Sequence, residues 1–149
     1  MAKQRIAVVT GGMGGLGETI STKMADAGYR VVVTYSPSNT KWKSWLEEMK
    51  GRGYSFSAFP VDVVDYESCA KQCAAIQGVC GPIDILVNNA GITRDMTFKK
   101  MTKSDWDAVM RTNLDSCFNM TKQVMDGMVD RGWGRVINVS SVNGGMHMM

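Results

Sequence analysis

No stretch of the sequence approaches the roughly 20 consecutive apolar residues that a bilayer-spanning helix requires, and the first residues lead straight into a short apolar strand without a signal-type hydrophobic region. Neither membrane insertion nor export is expected, and the cytoplasm is the expected compartment. There is a single histidine, His147, in a Met-rich stretch, and the four cysteines form no Cys-x-x-Cys pair. No metal site is expected from such a set. Cys69 and Cys73, four apart on a predicted helix, and the isolated Cys80 and Cys117 read as small apolar side chains. The net charge of +3 is small and its Lys and Arg residues are scattered, so nucleic acid is not an expected partner. What remains is a globular domain. Its 149 residues, 44% hydrophobic and 21% charged, suffice to bury about two-thirds of the unfolded surface. Thirteen methionines are many, but most stand at helical or terminal positions where Met fills gaps.

Strand and helix signals alternate along the chain. Ile6-Ala7-Val8-Val9 has no polar alternation, as expected of a strand covered on both faces. A helix is predicted from about Gly15 to Ala27, ended by Gly28, and a second buried strand from Arg30 to Thr34. After the loop Ser36–Thr40, with Asn39 or Thr40 as cap, a helix runs to about Lys50 and stops at Gly51 and Gly53. Tyr54–Phe59 reads as a strand, Asp65–Gln77 as a helix, and Ile83–Val87, after Pro82, as a strand. A long loop spans 91–101, and Thr102 or Ser104 begins a helical region. Leu114, Cys117, Phe118, Thr121, Val124, Met125 and Met128 have the spacing of one amphipathic helix, from about Thr112 to Asp130. Gly132 and Gly134 break it before the strand Val136–Val139. Five strands joined by helices make right-handed βαβ units, hence an α/β, Rossmann-like, doubly wound parallel sheet in one three-layer domain. Ligands of such sheets bind beyond the carboxyl ends of the strands.

Three polar motifs stand at those ends: Thr10-Gly11-Gly12-Met13-Gly14-Gly15-Leu16-Gly17, Asn88-Asn89-Ala90-Gly91 and Asn138-Val139-Ser140-Ser141. The first parses as Gly12-x-Gly14-x-x-Gly17, the general dinucleotide fingerprint, or as Thr10-Gly11-x-x-x-Gly15-x-Gly17. Either way glycine supplies positive φ, close approach to a pyrophosphate and tight helix–strand contact. The helix N-terminus offers free N–H groups and a positive dipole end to the phosphates. A site for NAD usually carries an Asp or Glu at the end of the second strand. Here the strand ends Thr34-Tyr35-Ser36, with no acid until Glu47. Ser36 as a hydroxyl donor and Lys41 as a nearby cation favour NADP, though Lys41 could simply solvate a helix start.

With Thr10–Gly17, Asp62-Val63, Asn88–Gly91, Asn113 and Asn138–Ser141 in this order, residues 4 to 145 resemble the short-chain dehydrogenase/reductase family. The similarity is greatest to the acetoacetyl-CoA reductases of bacterial polyhydroxybutyrate synthesis, through Gly91-Ile92-Thr93-Arg94-Asp95, Phe98–Thr102, Ser104–Ala108, Lys122–Gly127, Asp130–Arg135 and Ser140–Gly144. The 3-oxoacyl-acyl-carrier-protein reductases share the run 91–95 and are the alternative. The resemblance implies that Gly11, Met13, Gly14, Gly15, Leu16 and Gly17 hold the pyrophosphate of NADPH, with Ser36 and Lys41 beside its 2′-phosphate. Asp62 would bond the adenine amino group and Val63 lie against the ring, while Asn88, Asn89, Ala90, Gly91 and Ile92 line the nicotinamide ribose. It makes Ser141 the catalytic serine, Asn113 the residue whose backbone carbonyl anchors a proton-relay water, and Asp95, with Ser141, a substrate contact. Each has a plainer reading: Asn88 and Asn89 as ties between strand ends, Asn113 as a helix kink or satisfied polar group, Asp95 as a loop cap. An acyl-CoA substrate and a homo-oligomer, a tetramer in intact members, are implied as well.

In the family a Tyr protonates the developing alkoxide and a Lys one turn later lowers its pKa, while the Ser hydroxyl bonds the carbonyl oxygen. That Tyr-x-x-x-Lys pair is due about a dozen residues past the serine. The eight residues after Ser141 contain neither, and Tyr29, Tyr35, Tyr54 and Tyr66 stand on the wrong elements. Val142-Asn143-Gly144 continues the serine motif, whereas Gly145-Met146-His147-Met148-Met149 resembles the family's extreme C-terminus. An internal deletion joined at Asn143-Gly144, with a sheet stopping after about five strands, is the expectation. Strand five would then present Val136, Ile137 and Val139 along an open edge, and the helix 112–130 would expose apolar surface. Marginal stability follows, with unfolding below about 60 °C. Reduction of acetoacetyl-CoA, impaired in this form, competes with a non-catalytic NADP-binding or assembly role, or with no role of its own.

Overall fold

A computed structural model of the chain describes residues 3–91 and 98–140. Ile92, Asp95, Ser141 and the Asn143-Gly144 junction lie outside the described residues.

The elements run β1 (Ile6–Val9), α1 (Gly15–Asp26), β2 (Arg30–Tyr35), α2 (Trp42–Gly51), β3 (Ser57–Pro60), α3 (Tyr66–Cys80), β4 (Ile85–Asn88), α4 (Lys103–Met110), a π-helical turn (Arg111–Asp115), α5 (Ser116–Arg131) and β5 (Arg135–Asn138). The five strands form one sheet in the order β3-β2-β1-β4-β5, every neighbouring pair parallel. The chain reverses its winding between β1 and β4. That makes the crevice beyond Val9 and Asn88 the switch point where such sheets bind ligands.

The apolar runs are explained by two cores, one on each face of the sheet. Ile6, Val8, Val32 and Leu86 pack with Cys69, Cys73 and Ile76 of α3 and with Met120, Val124 and Met128 of α5. Ala7, Val9, Val31, Val33, Ile85 and Val87 face the other way, against Ile20 and Met24 of α1 and Trp45 of α2. Successive strand side chains point to opposite faces, so strands covered on both sides have no polar positions to alternate.

Element ends follow local chemistry. Asp65 caps α3, its carboxylate accepting from the N–H groups of Glu67 (3.0 Å) and Ser68 (3.3 Å), and the helix runs past Gln77 to Gly81. Thr102 and Asp105 form a reciprocal capping box that starts α4. The expected side-chain cap of α2 is not formed. Lys41 takes the N-cap position without a side-chain bond, and Asn39 instead accepts from the Lys41 N–H at 2.8 Å. Residues 54–56 are not strand: the Tyr54 N–H closes the end of α2 on the Met49 carbonyl at 2.9 Å.

The single amphipathic helix expected from Thr112 to Asp130 is corrected most. Its first residues belong to the π-helical turn, and its apolar residues lie on two faces. Met120, Val124 and Met128 are buried against the sheet, while Leu114, Phe118, Met125 and Val129 are 41–68% exposed. β5 pairs with β4 alone among the described strands. Ile137 and Val139 are exposed along it, but Val136 packs onto the core.

Candidate functional site

β1 ends at Val9, and Thr10 continues the sheet by donating its N–H to the Val87 carbonyl at 3.0 Å. Its buried hydroxyl accepts from the N–H groups of Asn89 and Ala90, each at 3.0 Å. The Asn89 carboxamide returns to the Thr10 and Gly11 carbonyls, each at 3.2 Å. The first and second motifs are thus one bonded unit across the switch point. Asn88, also buried, donates to Thr121 of α5 at 3.2 Å and to the side chain of Asn138 at 2.9 Å. It ties β4 to β5 and to the helix beneath. The reading of Asn88 and Asn89 as ties between strand ends describes their contacts directly.

The glycine loop settles which parse applies. Gly11 and Gly15 have φ of +60° and +45°, where a side chain is strained. A Cβ on Gly17 would lie 2.0 Å from the Gly11 carbonyl oxygen. Gly12 is required by packing, since its Cβ would meet Val33 at 2.6 Å. Gly14 has φ of −113° and open space around it. The frame is Thr10-Gly11-x-x-x-Gly15-x-Gly17. Ser21, buried one turn into α1, donates to the Gly12 (3.1 Å) or Gly17 (2.8 Å) carbonyl and pins the loop onto its helix.

No side chain caps α1; the Gly17 N–H is bonded to the Gly14 carbonyl at 2.8 Å, and a helix start without a side-chain cap is the arrangement that receives a phosphate. Glu18 in the first turn would oppose an anion there. The fold diverts it: Glu18 accepts from the Trp45 indole at 2.8 Å and stands 3.7 Å from the Arg52 guanidinium. At the end of β2 the Ser36 hydroxyl lies 2.9 Å from that of Ser38, and Lys41 is exposed at the start of α2, whose first turn carries no acid. Asn39 reaches back to the Met13 sulfur at 3.9 Å. The residues present therefore fit a dinucleotide: a glycine-lined cradle, a helix start with no side-chain cap, and a second strand whose own end, Thr34-Tyr35 before Ser36, carries no carboxylate.

Beyond β3, Asp62 is exposed and accepts from the Val64 N–H at 3.2 Å. Val63 is half-buried, its carbonyl taking the Asn119 carboxamide of α5 at 3.0 Å. Asn113 sits in the π-helical turn, a distortion frequent at functional sites. A Cβ on Gly91 would come within 2.6 Å of its Oδ1, so Asn113 adjoins the Asn88–Gly91 motif. The Cys117 thiol donates to its backbone carbonyl at 3.4 Å. Among the tyrosines, Tyr54 bonds Asp26, Tyr35 stacks on Trp42 and Tyr66 lies against Phe118. Sequence reasoning assigned no role to Thr10, Ser21, Glu18, Asn119 or Thr121. Only Thr10, fixed between strand and glycine turn, carried a usable signal.

The model of the short chain dehydrogenase family matches residues 5–149. Acetoacetyl-CoA reductase of Cupriavidus necator is 52% identical over 141 residues, covering 95% of this chain and 57% of that protein. The Acinetobacter enzyme of the same name is 40% identical over 148 residues, covering 97% and 58%. The 3-oxoacyl-acyl-carrier-protein reductase of Staphylococcus aureus is 36% identical over 144 residues, covering 97% and 58%. The crystal structure of gox2181 matches with a TM-score of 0.87 at 27% identity, covering 96% of this chain and 56% of that one. The chain spans a little over half the length of these relatives. By its family match, its shared sequence and its glycine frame, it belongs to the short chain dehydrogenase family.

Proposed function

We propose that this chain carries the NADPH-binding half of an acetoacetyl-CoA reductase. The observation that supports the cofactor reading is the second-strand end: β2 closes on Thr34-Tyr35 before Ser36 with no carboxylate of the kind that selects the 2′-hydroxyl of NAD, and Lys41 is exposed at the start of the next helix. The substrate reading rests on the 52% identity to the Cupriavidus necator enzyme. A role in polyhydroxybutyrate synthesis follows from the same resemblance. Four free cysteines, two of them buried, agree with a reducing compartment such as the cytoplasm.

In this reading the bound nicotinamide supplies the hydride. The chain's own residues do the rest that is visible: Gly11 to Gly17 admit the pyrophosphate onto the start of α1, and Thr10, Asn88 and Asn89 hold the loop and the two strand ends rigid. Asn113 brings its side-chain carboxamide against Gly91. No Tyr-x-x-x-Lys pair follows Ser141 in the sequence, so a polypeptide of these 149 residues lacks the implied proton donor. Loss of a general acid costs about 10²–10⁴-fold in rate. A nucleotide-binding role without turnover is the second reading, for a polypeptide of these 149 residues alone.

Fluorescence titration of the 149-residue chain tests the first part: NADPH should bind at least about tenfold more tightly than NADH, the scale of one charge-assisted contact. Equal affinities, or a preference for NADH, would refute it. Acetoacetyl-CoA-dependent consumption of NADPH at a rate typical of reductases would refute the second reading and the role assigned to the missing pair.

A further inference from the structure

The amino-terminal edge of the sheet, opposite the glycine loop, carries a pocket of about 270 Å³ lined by Lys3, Arg5, Asp84, Arg131 and Trp133. Trp133 packs against the sheet core, which fixes its ring. The Arg5 guanidinium lies over that ring at 3.6 Å and the Arg135 guanidinium at 4.6 Å. Asp84 is the pocket's carboxylate, and it is already engaged. It accepts from the Ile6 N–H at 2.9 Å and stands 3.8 Å from Arg131. Arg131 also donates to the Ile83 carbonyl at 2.8 Å, and Arg135 to that of Gly134 at 2.8 Å. Among the described residues no carboxylate lies within ion-pair distance of Lys3, Arg5 or Arg135.

Three cations, Lys3, Arg5 and Arg131, thus line the pocket with one carboxylate, which pairs with Arg131, and Arg135 adds a fourth positive charge over the Trp133 ring. The carboxyl end of α5 adds about half a negative charge, which leaves the pocket clearly positive. A guanidinium held by its face keeps its in-plane N–H donors for a planar or tetrahedral oxyanion. The ring carries two guanidiniums already and the volume is small, so the pocket suits a compact anion better than a nucleotide base. We propose that this pocket, lined by Lys3, Arg5, Arg131 and Trp133 with Arg135 against the same ring, is a second anion site that takes a phosphoryl oxyanion of the size of inorganic phosphate or diphosphate. It is separate from the cofactor cradle and does not depend on the reductase reading.

Backbone and indole N–H NMR of the full chain, titrated with inorganic diphosphate at constant ionic strength, tests it and separates the two ends of the sheet. The Trp133 indole and the amides of residues 3–6 and 131–135 should shift in a saturable way. Inorganic phosphate, with less charge, should bind more weakly at the same residues. Arg5→Gln should weaken binding about tenfold, the worth of one charge-assisted hydrogen bond. Lys3→Gln, at an exposed position outside every helix and strand, should weaken it without disturbing the fold. Shifts confined to residues 11–17, shifts reproduced by chloride, or an affinity unchanged in both variants would overturn the proposal.

Discussion

Gly17 and Gly14 belong to the same motif, yet the structure assigns them opposite tolerances. A Cβ on Gly17 would sit 2.0 Å from the Gly11 carbonyl oxygen, 2.9 Å from its carbon and 2.8 Å from the Asn89 carboxamide nitrogen. All three belong to the unit that joins β1 to β4, and the nearest is backbone. Relief needs a shift of more than about 1 Å, and overpacking of this kind costs about 1–3 kcal/mol. The same shift breaks the 3.2 Å bond from Asn89 to Gly11, worth about 1 kcal/mol. Gly17→Ala should therefore lose roughly 2–4 kcal/mol, which for a domain of this size lowers Tm by about 4–16 °C. It should also abolish NADPH binding by distorting the cradle. Gly14→Ala meets nothing within 4 Å at a φ of −113°. Its reduced freedom in the unfolded chain offsets the poorer N-cap, and stability should stay within about 1 kcal/mol. Paired thermal melts and NADPH titrations decide the matter. Equal losses in the two variants would refute the assignment of the frame to Gly11, Gly15 and Gly17.

Burial raises the Cys69 thiol to about 12, with smaller contributions from Cys73, Asp62 and Asp65, and raises Cys73 to about 11. Iodoacetamide at pH 8 should therefore label the half-buried Cys80 and Cys117 and spare both core thiols, as peptide masses would show. Both raised thiols stay protonated in the fold but ionise near 9 when unfolded, so stability should fall as pH rises above about 9 and level off near 11–12. Each thiol contributes at most about 1.4 kcal/mol per pH unit, and Cys73→Ala should lessen the decline in denaturation midpoint between about pH 9 and 11. The exposed row Leu114, Phe118, Met125 and Val129 should drive self-association. Phe118→Lys with Val129→Lys should reduce it in sedimentation velocity while changing stability by no more than about 0.5 kcal/mol per site. Association unaltered by both lysines would refute that role.

What the sequence revealed of the fold was what depends on neighbours close along the chain. Runs such as Val31-Val32-Val33 could only be strands buried on both faces, and Gly28 and Gly132 had to end helices. Asn113 illustrates the limit. Its backbone lies in a π-helical turn, and no local pattern distinguishes that from α-helix, because a π-turn is selected by what packs on either side. The two-faced α5 escaped for a related reason. Spacing shows that apolar residues share a helix, but which of them meet the sheet depends on how the helix is rotated against it. Val124 and Met125 are adjacent in sequence, one buried and the other 41% exposed.

Glu18 shows why the candidate site was only half legible. Read locally, a glutamate in the first turn of α1 weakens any phosphate site at that helix start. The structure reverses its meaning through two partners 27 and 34 positions away, the Trp45 indole and the Arg52 guanidinium. Both stand on or just after α2, and α2 reaches Glu18 only because β2 pairs in parallel with β1 and places the two helices on one face of the sheet. The carboxylate that could repel the cofactor instead fastens the helix that presents Lys41. Cofactor binding and the packing of α1 on α2 therefore share one residue. Glu18→Gln keeps an oxygen for the indole but gives up the pairing with Arg52. Removing the negative charge near the cradle should make NADPH binding no weaker, while the exposed ion pair it loses is worth at most about 1 kcal/mol of stability. A weaker affinity for NADPH in a folded Glu18→Gln chain would show that Glu18 supports the cofactor rather than being kept away from it.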